Sequence, residues 1–133
     1  MIMDAKLVLA DGQAVTAASA HDTTNVIDFG AYGDPAYPLT AVVRVDTTAT
    51  SSGSATVSFG LATSADNSAY VVLWASAAVP VASLAKGYEI TVPVPTGMKR
   101  YCKGVITVGT AALTAGKFDL FLVPAAQTNK ANV

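Results

Sequence analysis

The sequence predicts an all-β protein: an antiparallel β-sandwich of jelly-roll type, with about eight to ten short strands and little or no helix. Three observations predict it. Short segments of alternating apolar and polar residues run from end to end. Turn-forming residues interrupt them at intervals of roughly 8 to 12 positions. Valine and threonine, branched at Cβ and suited to a pleated, half-buried surface, are abundant. A chain of 133 residues fits one domain and can enclose a core. A single sandwich over residues 1–133 is therefore expected, with 1–10 as an N-terminal arm or edge strand and 127–133 as a mobile polar tail.

The elements follow in order. Residues 6–9 read as a first short strand, closed by a turn signal at Asp11-Gly12. Residues 15–20 are small and polar, a strand or an extended arm. Residues 25–29 are a second apolar run. Residues 30–38 hold glycines and prolines with Tyr32 and Tyr37; this is a loop, because proline cannot donate to a ladder and glycine permits positive φ. Residues 39–45 form a strand with Val43 and Val45 on one face and Val42 and Arg44 on the other. Residues 47–54 read as a polar turn region. Residues 56–63 alternate cleanly, with Val57, Phe59 and Leu61 pointing one way. Asp66-Asn67 tips the next turn.

Residues 70–74 are apolar on both faces, as in a central strand or one covered by a partner. Residues 79–84 begin near Pro80 and suit an edge or crossover; residues 75–84 hold at most one helical turn. Residues 88–94 alternate again, with Tyr88, Ile90 and Val92 on one side, and Pro93 and Pro95 mark an edge or an ending. Residues 100–108 are a long strand and 109–116 a loop. The last strand, 117–123, sets Phe118, Leu120 and Leu122 opposite Asp119 and Phe121.

Composition narrows the function. Apolar residues make up 52% and charged residues 13%, against about a quarter charged in an average soluble domain. Much of the exterior is then Ala, Thr and Ser, and such a surface is easily desolvated against another protein. Net charge is −1, and the one dense basic cluster, Lys99, Arg100 and Lys103, is too small for the stripe that phosphates require. No nucleic-acid partner is expected. No run reaches the roughly 18 apolar residues of a membrane helix, and residues 1–4 do not read as a signal peptide. Synthesis in a cytosol and no membrane partner are the expectations.

Acid–base chemistry has little material, since His21 and Glu89 are the single residues of their types. His21-Asp22 is too sparse for a metal site. Most aspartates sit at turns, where they cap backbone N–H groups. Gly116-Lys117 lacks the rest of a phosphate loop, because position 111 is Ala and position 118 is Phe. Cys102, the only cysteine, lies in an apolar strand pattern and reads as a small buried side chain. The chain reads as a non-enzyme without cofactor or metal. Trp74, Tyr88 and Tyr101 fall at core spacing. Tyr32 and Tyr37, in the loop, and the apolar Met1, Ile2 and Met3 are the candidate contacts to a partner.

Several stretches in order carry a resemblance. They are Asp11-Gly12-Gln13-Ala14-Val15-Thr16, Thr24-Asn25-Val26-Ile27-Asp28, Pro80-Val81-Ala82-Ser83-Leu84, Lys86-Gly87-Tyr88, Gly97-Met98-Lys99-Arg100-Tyr101 and Leu113-Thr114-Ala115-Gly116-Lys117. Together they resemble the capsid cement (decoration) proteins of tailed bacteriophages, the family typified by the cement protein of a Bordetella podovirus. The similarity covers residues 1 to about 127; the loop 32–37 and Cys102 depart from it. The resemblance implies a jelly-roll domain that self-associates as a homodimer, alternatively a trimer. It also implies a virion protein, made in the bacterial host cytoplasm, that sits on the outside of the head and bridges subunits of the major capsid protein. The competing readings are a carbohydrate-binding β-sandwich module, which requires exposed coplanar aromatics, and a head-fibre or tail component.

Overall fold

Strands carry almost all of the architecture in the computed structural model, which describes residues 3–31, 33, 35 and 38–126. The chain enters through a 3-10 turn, Ala5–Leu7, whose preceding Asp4 accepts a hydrogen bond from the Lys6 backbone N–H (2.9 Å). Ten strands follow: β1 (Val8–Ala14), β2 (Ala20–Asp22), β3 (Ile27–Asp28), β4 (Thr40–Thr50), β5 (Thr56–Ser64), β6 (Val71–Ala75), β7 (Val79–Pro80), β8 (Glu89–Pro93), β9 (Tyr101–Gly109) and β10 (Ala115–Val123). A second 3-10 turn, Val81–Ser83, lies after β7, inside the stretch expected to hold at most one turn.

All pairings are antiparallel and fall into two sheets. The first runs β1-β10-β4-β8 and the second β2-β9-β5-β6. β3 follows β2 along the same side of β9, and β7 follows β6 along β5. Taking each of these as one interrupted strand, the first strand pairs with the last, the second with the second-last, and so on inward. That is a long hairpin wound into a jelly roll, the predicted fold class.

Alternation places the core between the sheets. Ala41, Val43 and Val45 of β4 and Phe118, Leu120 and Leu122 of β10 meet Val57, Phe59 and Leu61 of β5 and Cys102, Ile106 and Val108 of β9. Phe59 and Phe118 cross the interface edge to face, with centroids 5.5 Å apart, a favoured aromatic geometry. Gly104 sets how closely β9 approaches β10. A Cβ there would lie 2.0 Å from Leu120 Cδ2 and 2.6 Å from Thr23 Cγ2. Leu120 is fully buried, so it can yield only by displacing other core side chains.

Three sequence expectations change. The first strand begins at Val8, and Asp11-Gly12 does not reverse the chain. It forms a bulge: Gly12 sits at φ +57° and the register against β10 slips between Ala10 and Gln13. The same dipeptide that closes hairpins here supplies the positive φ of a bulge. Second, the region read as a polar turn from residue 47 begins as strand. β4 continues to Thr50, with Thr47 opposite Lys117, Thr50 opposite Ala115 and Ala49 buried. Threonine tolerates a half-exposed strand as readily as a turn. Third, of the two readings of β6, a central strand or one covered by a partner, the structure excludes the first, because β6 lies at an edge of its sheet. The expected tail, 127–133, lies outside the described residues.

Substituting Gly104→Ala is expected to lower the unfolding free energy by about 2 kcal/mol through overpacking. In a double-mutant cycle with Leu120→Ala, the combined loss should be clearly smaller than the sum of the single losses. Urea denaturation of the four proteins measures both.

Candidate interaction surface

The outer face of the first sheet departs from an ordinary sandwich exterior. Beyond the core-facing residues of β10, the outward-facing side chains from Asp119 onward are also covered: Asp119 is 6% exposed and Phe121 1% exposed, and Val123 and Val42 are buried beside them, while Lys117 is exposed. Val8 packs against this second apolar cluster, and the 3-10 turn at Ala5–Leu7 lies against β10. A strand buried on both faces is unusual in an antiparallel sheet, where one face is commonly solvated.

Asp119 organises this face. Its Oδ1 accepts the Gly12 backbone N–H at 2.7 Å, which fastens the β1 bulge to β10. Its Oδ2 accepts from Arg44 Nη2 at 3.1 Å and Nε at 3.3 Å. The sheet register itself makes the pair, because Asp119 stands directly opposite Arg44. The Arg44 guanidinium also lies over the Phe121 ring, 5.6 Å from its centroid. Met3, Val8, Ala10 and Asp11 complete a shallow depression above Arg44, Asp119 and Phe121. The arrangement can seat an apolar side chain beside a positioned guanidinium, the composition of an interface anchor.

A second cluster holds the start of the loop that carries the tyrosines. Arg100 Nε and Nη2 each donate at 2.9 Å to the two oxygens of Asp28, and the Gly30 backbone N–H donates to Asp28 Oδ1, also at 2.9 Å. The Gly33 N–H returns to the Gly30 carbonyl at 3.1 Å. The Arg100 hydrogen bonds, then that from Gly30, hold the Asp28 carboxyl down to about 2. Arg100 also stacks on Tyr101, 5.0 Å from the ring centroid.

Of the residues singled out from sequence, Met3 is 46% exposed and borders the Arg44–Phe121 depression. Met1, Ile2, Tyr32 and Tyr37 lie outside the described residues. Trp74 and Tyr88 are partly buried against the core, while Tyr101 sits half-buried under Arg100. His21 Nε2 lies 2.9 Å from the Ala17 carbonyl oxygen and 3.2 Å from Ser19 Oγ. Burial pushes the Cys102 thiol up to about 12, so it stays protonated at neutral pH. Among the described residues, no three His, Cys, Asp or Glu side chains converge as metal ligands. Among the described residues no helix is long and apolar enough to cross a membrane.

Sequence reasoning set Arg44 on the face opposite Val43 and Val45 and Asp119 on the face opposite Phe118, Leu120 and Leu122, but did not pair them. A signal was present: each is the one charged residue in an otherwise apolar stretch of strand, and buried charges require a partner.

A family model, Bbp16, matches residues 9–122, from within β1 to within β10. No curated protein matches the chain.

Two outcomes follow from this geometry. Arg44→Met leaves the Asp119 carboxylate with the Gly12 N–H alone and is expected to lower the unfolding free energy by about 1–3 kcal/mol; adding Asp119→Asn should recover part of the loss. Urea denaturation at neutral pH measures this. Asp28, whose folded pKa is depressed, contributes stability above its ordinary value of 3.8 and loses it as pH falls through about 2. Its carboxyl carbon should titrate near 2 by NMR, and in Arg100→Gln the midpoint should rise toward 3.8.

Proposed function

This chain belongs to the Bbp16 family of phage structural proteins, and from that we propose that it is a cement protein that decorates the outside of an icosahedral phage head. It bridges neighbouring major capsid subunits and acts by contact, without bond-making. The observation that carries the reading is the family match across both sheets of the jelly roll, on a chain with only 13% charged residues. The contact surface includes Met3 and the depression over Arg44 and Phe121. By the sequence argument it also includes Met1, Ile2, Tyr32 and Tyr37. The protein is made in the host cytoplasm and ends on the virion exterior.

The mechanism is linkage. A protein that binds the assembled shell better than dispersed subunits stabilises the shell by mass action, by about 2.7 kcal/mol per site at a hundredfold excess over Kd. A homodimer engages two sites at once, so effective concentration strengthens attachment without new contacts. Its self-complementary interface also matches a twofold axis of the lattice.

Binding to empty heads tests the proposal. The chain is expected to co-sediment with heads, to raise their thermal disruption temperature, and to appear as density outside the shell in cryo-electron microscopy. Met3→Asp, Tyr37→Ala and deletion of residues 1–4 should each weaken binding, about tenfold for a loss of 1.4 kcal/mol. Heads that neither bind nor gain stability overturn the reading.

A further inference from the structure

Asp11-Gly12 carries a chemistry of its own. Of the aspartates in the chain, Asp11 alone precedes glycine. An aspartate in that setting rearranges spontaneously. The backbone nitrogen of the next residue attacks the side-chain carboxyl carbon, and water leaves as a five-membered succinimide closes. Water then adds back to either ring carbonyl, giving aspartate or isoaspartate, whose backbone runs through the side-chain carbons. No atom is gained or lost overall, and nothing is oxidised. Glycine speeds the attack because it has no Cβ to crowd the nitrogen.

The fold cannot discard that glycine. Gly12 sits at φ +57°, where other side chains are strained, and the register of β1 against β10 slips around it. Asp11 is exposed at the same point, open to water. A reactive dipeptide is thus built into the bulge, and its attacking atom is the Gly12 nitrogen.

That nitrogen is held. Its N–H donates to Asp119 Oδ1 at 2.7 Å. Asp119 is only 6% exposed, and Arg44 Nε and Nη2 fix its other oxygen. To attack, the amide must turn toward the Asp11 carboxyl and lose its proton, because resonance ties up the lone pair of a peptide nitrogen. The charge-assisted hydrogen bond opposes the turn. The Asp119 charge opposes loss of the proton, since an amide anion would stand beside a carboxylate in a water-poor position. Asp46 adds a second carboxylate, its Oδ2 3.9 Å from where a Cβ on Gly12 would stand.

We propose that Asp11-Gly12 is a latent isomerisation site, held unreacted by Asp119 while β1 lies on β10 and released when β1 lifts away. Asp119 is a positioning residue and takes no part in the bond changes. β1 can lift because it ends its sheet and carries two register slips, and weakly paired elements open locally at lower free energy than the core. Isoaspartate lengthens the backbone by one carbon at position 11, so the altered strand does not rebuild the same bulge. The chemistry requires only water and this chain, and it holds whether or not the protein binds a capsid.

The full chain is aged at neutral pH and physiological temperature, folded and in urea. Isoaspartate at position 11 is measured by peptide mapping with electron-transfer fragmentation, with Asp11→Ser as the blank. The folded wild type is expected to isomerise at least about tenfold more slowly than the unfolded chain, with its Gly12 amide protected from hydrogen exchange. Asp119→Ala, shown to be folded by its thermal melt, should regain most of the unfolded rate. Asp119→Asn, which keeps an oxygen for the Gly12 N–H, should lie between. Equal rates in folded and unfolded wild type, or an unprotected Gly12 amide, overturn the proposal, and that comparison decides even where the variants do not fold. A folded Asp119→Ala as slow as the wild type, or an Asp119→Asn no slower than Asp119→Ala, overturns the role of Asp119. A folded wild type faster than the unfolded chain makes Asp119 a base and overturns the proposal as well.

Discussion

Burial of β10 on both faces is the constraint from which the rest of the molecule follows. Its inner residues, Phe118, Leu120 and Leu122, join the sandwich core, and its outer residues, Asp119, Phe121 and Val123, are covered as well. A carboxylate at a doubly buried position must be paired or it costs several kcal/mol. The Arg44 guanidinium and the Gly12 N–H meet that demand. The bulge in β1, the register of β4 and the shape of the outer depression are therefore parts of one solution to a single electrostatic problem. The Asp119–Arg44 pair is not a free gain in stability, because desolvation offsets much of its attraction. What it gives is geometry: one permitted position for β1 against β10.

The inner side obeys a steric rule instead. Gly104 faces Leu120 at a separation that admits no Cβ, and the edge-to-face pair of Phe59 and Phe118 fills the space nearby. Interiors packed at crystal-like density transmit such a restriction to their neighbours. These contacts set the separation of the two sheets.

The exterior divides along the same lines. The first sheet presents a depression with one positioned guanidinium, and the second presents a depression lined by uncharged residues with the Lys103–Asp22 ion pair farther along the same sheet.

The sequence by itself determined the fold class, the core residues of the long strands and the poverty of acid–base material. Those properties are local: period-two alternation along 56–63 or 117–123 fixes which side chains turn inward whatever the partner strand is. The sequence resemblance also reached the family that the match over residues 9–122 shows. Only the tertiary structure decided the pairing of Arg44 with Asp119, separated by 75 positions in the chain, and the use of Asp11-Gly12 as a bulge. It alone put β6 at an edge. Each of these depends on which strand lies alongside, and strand order in a jelly roll is set by closure of the whole hairpin, which no local window contains.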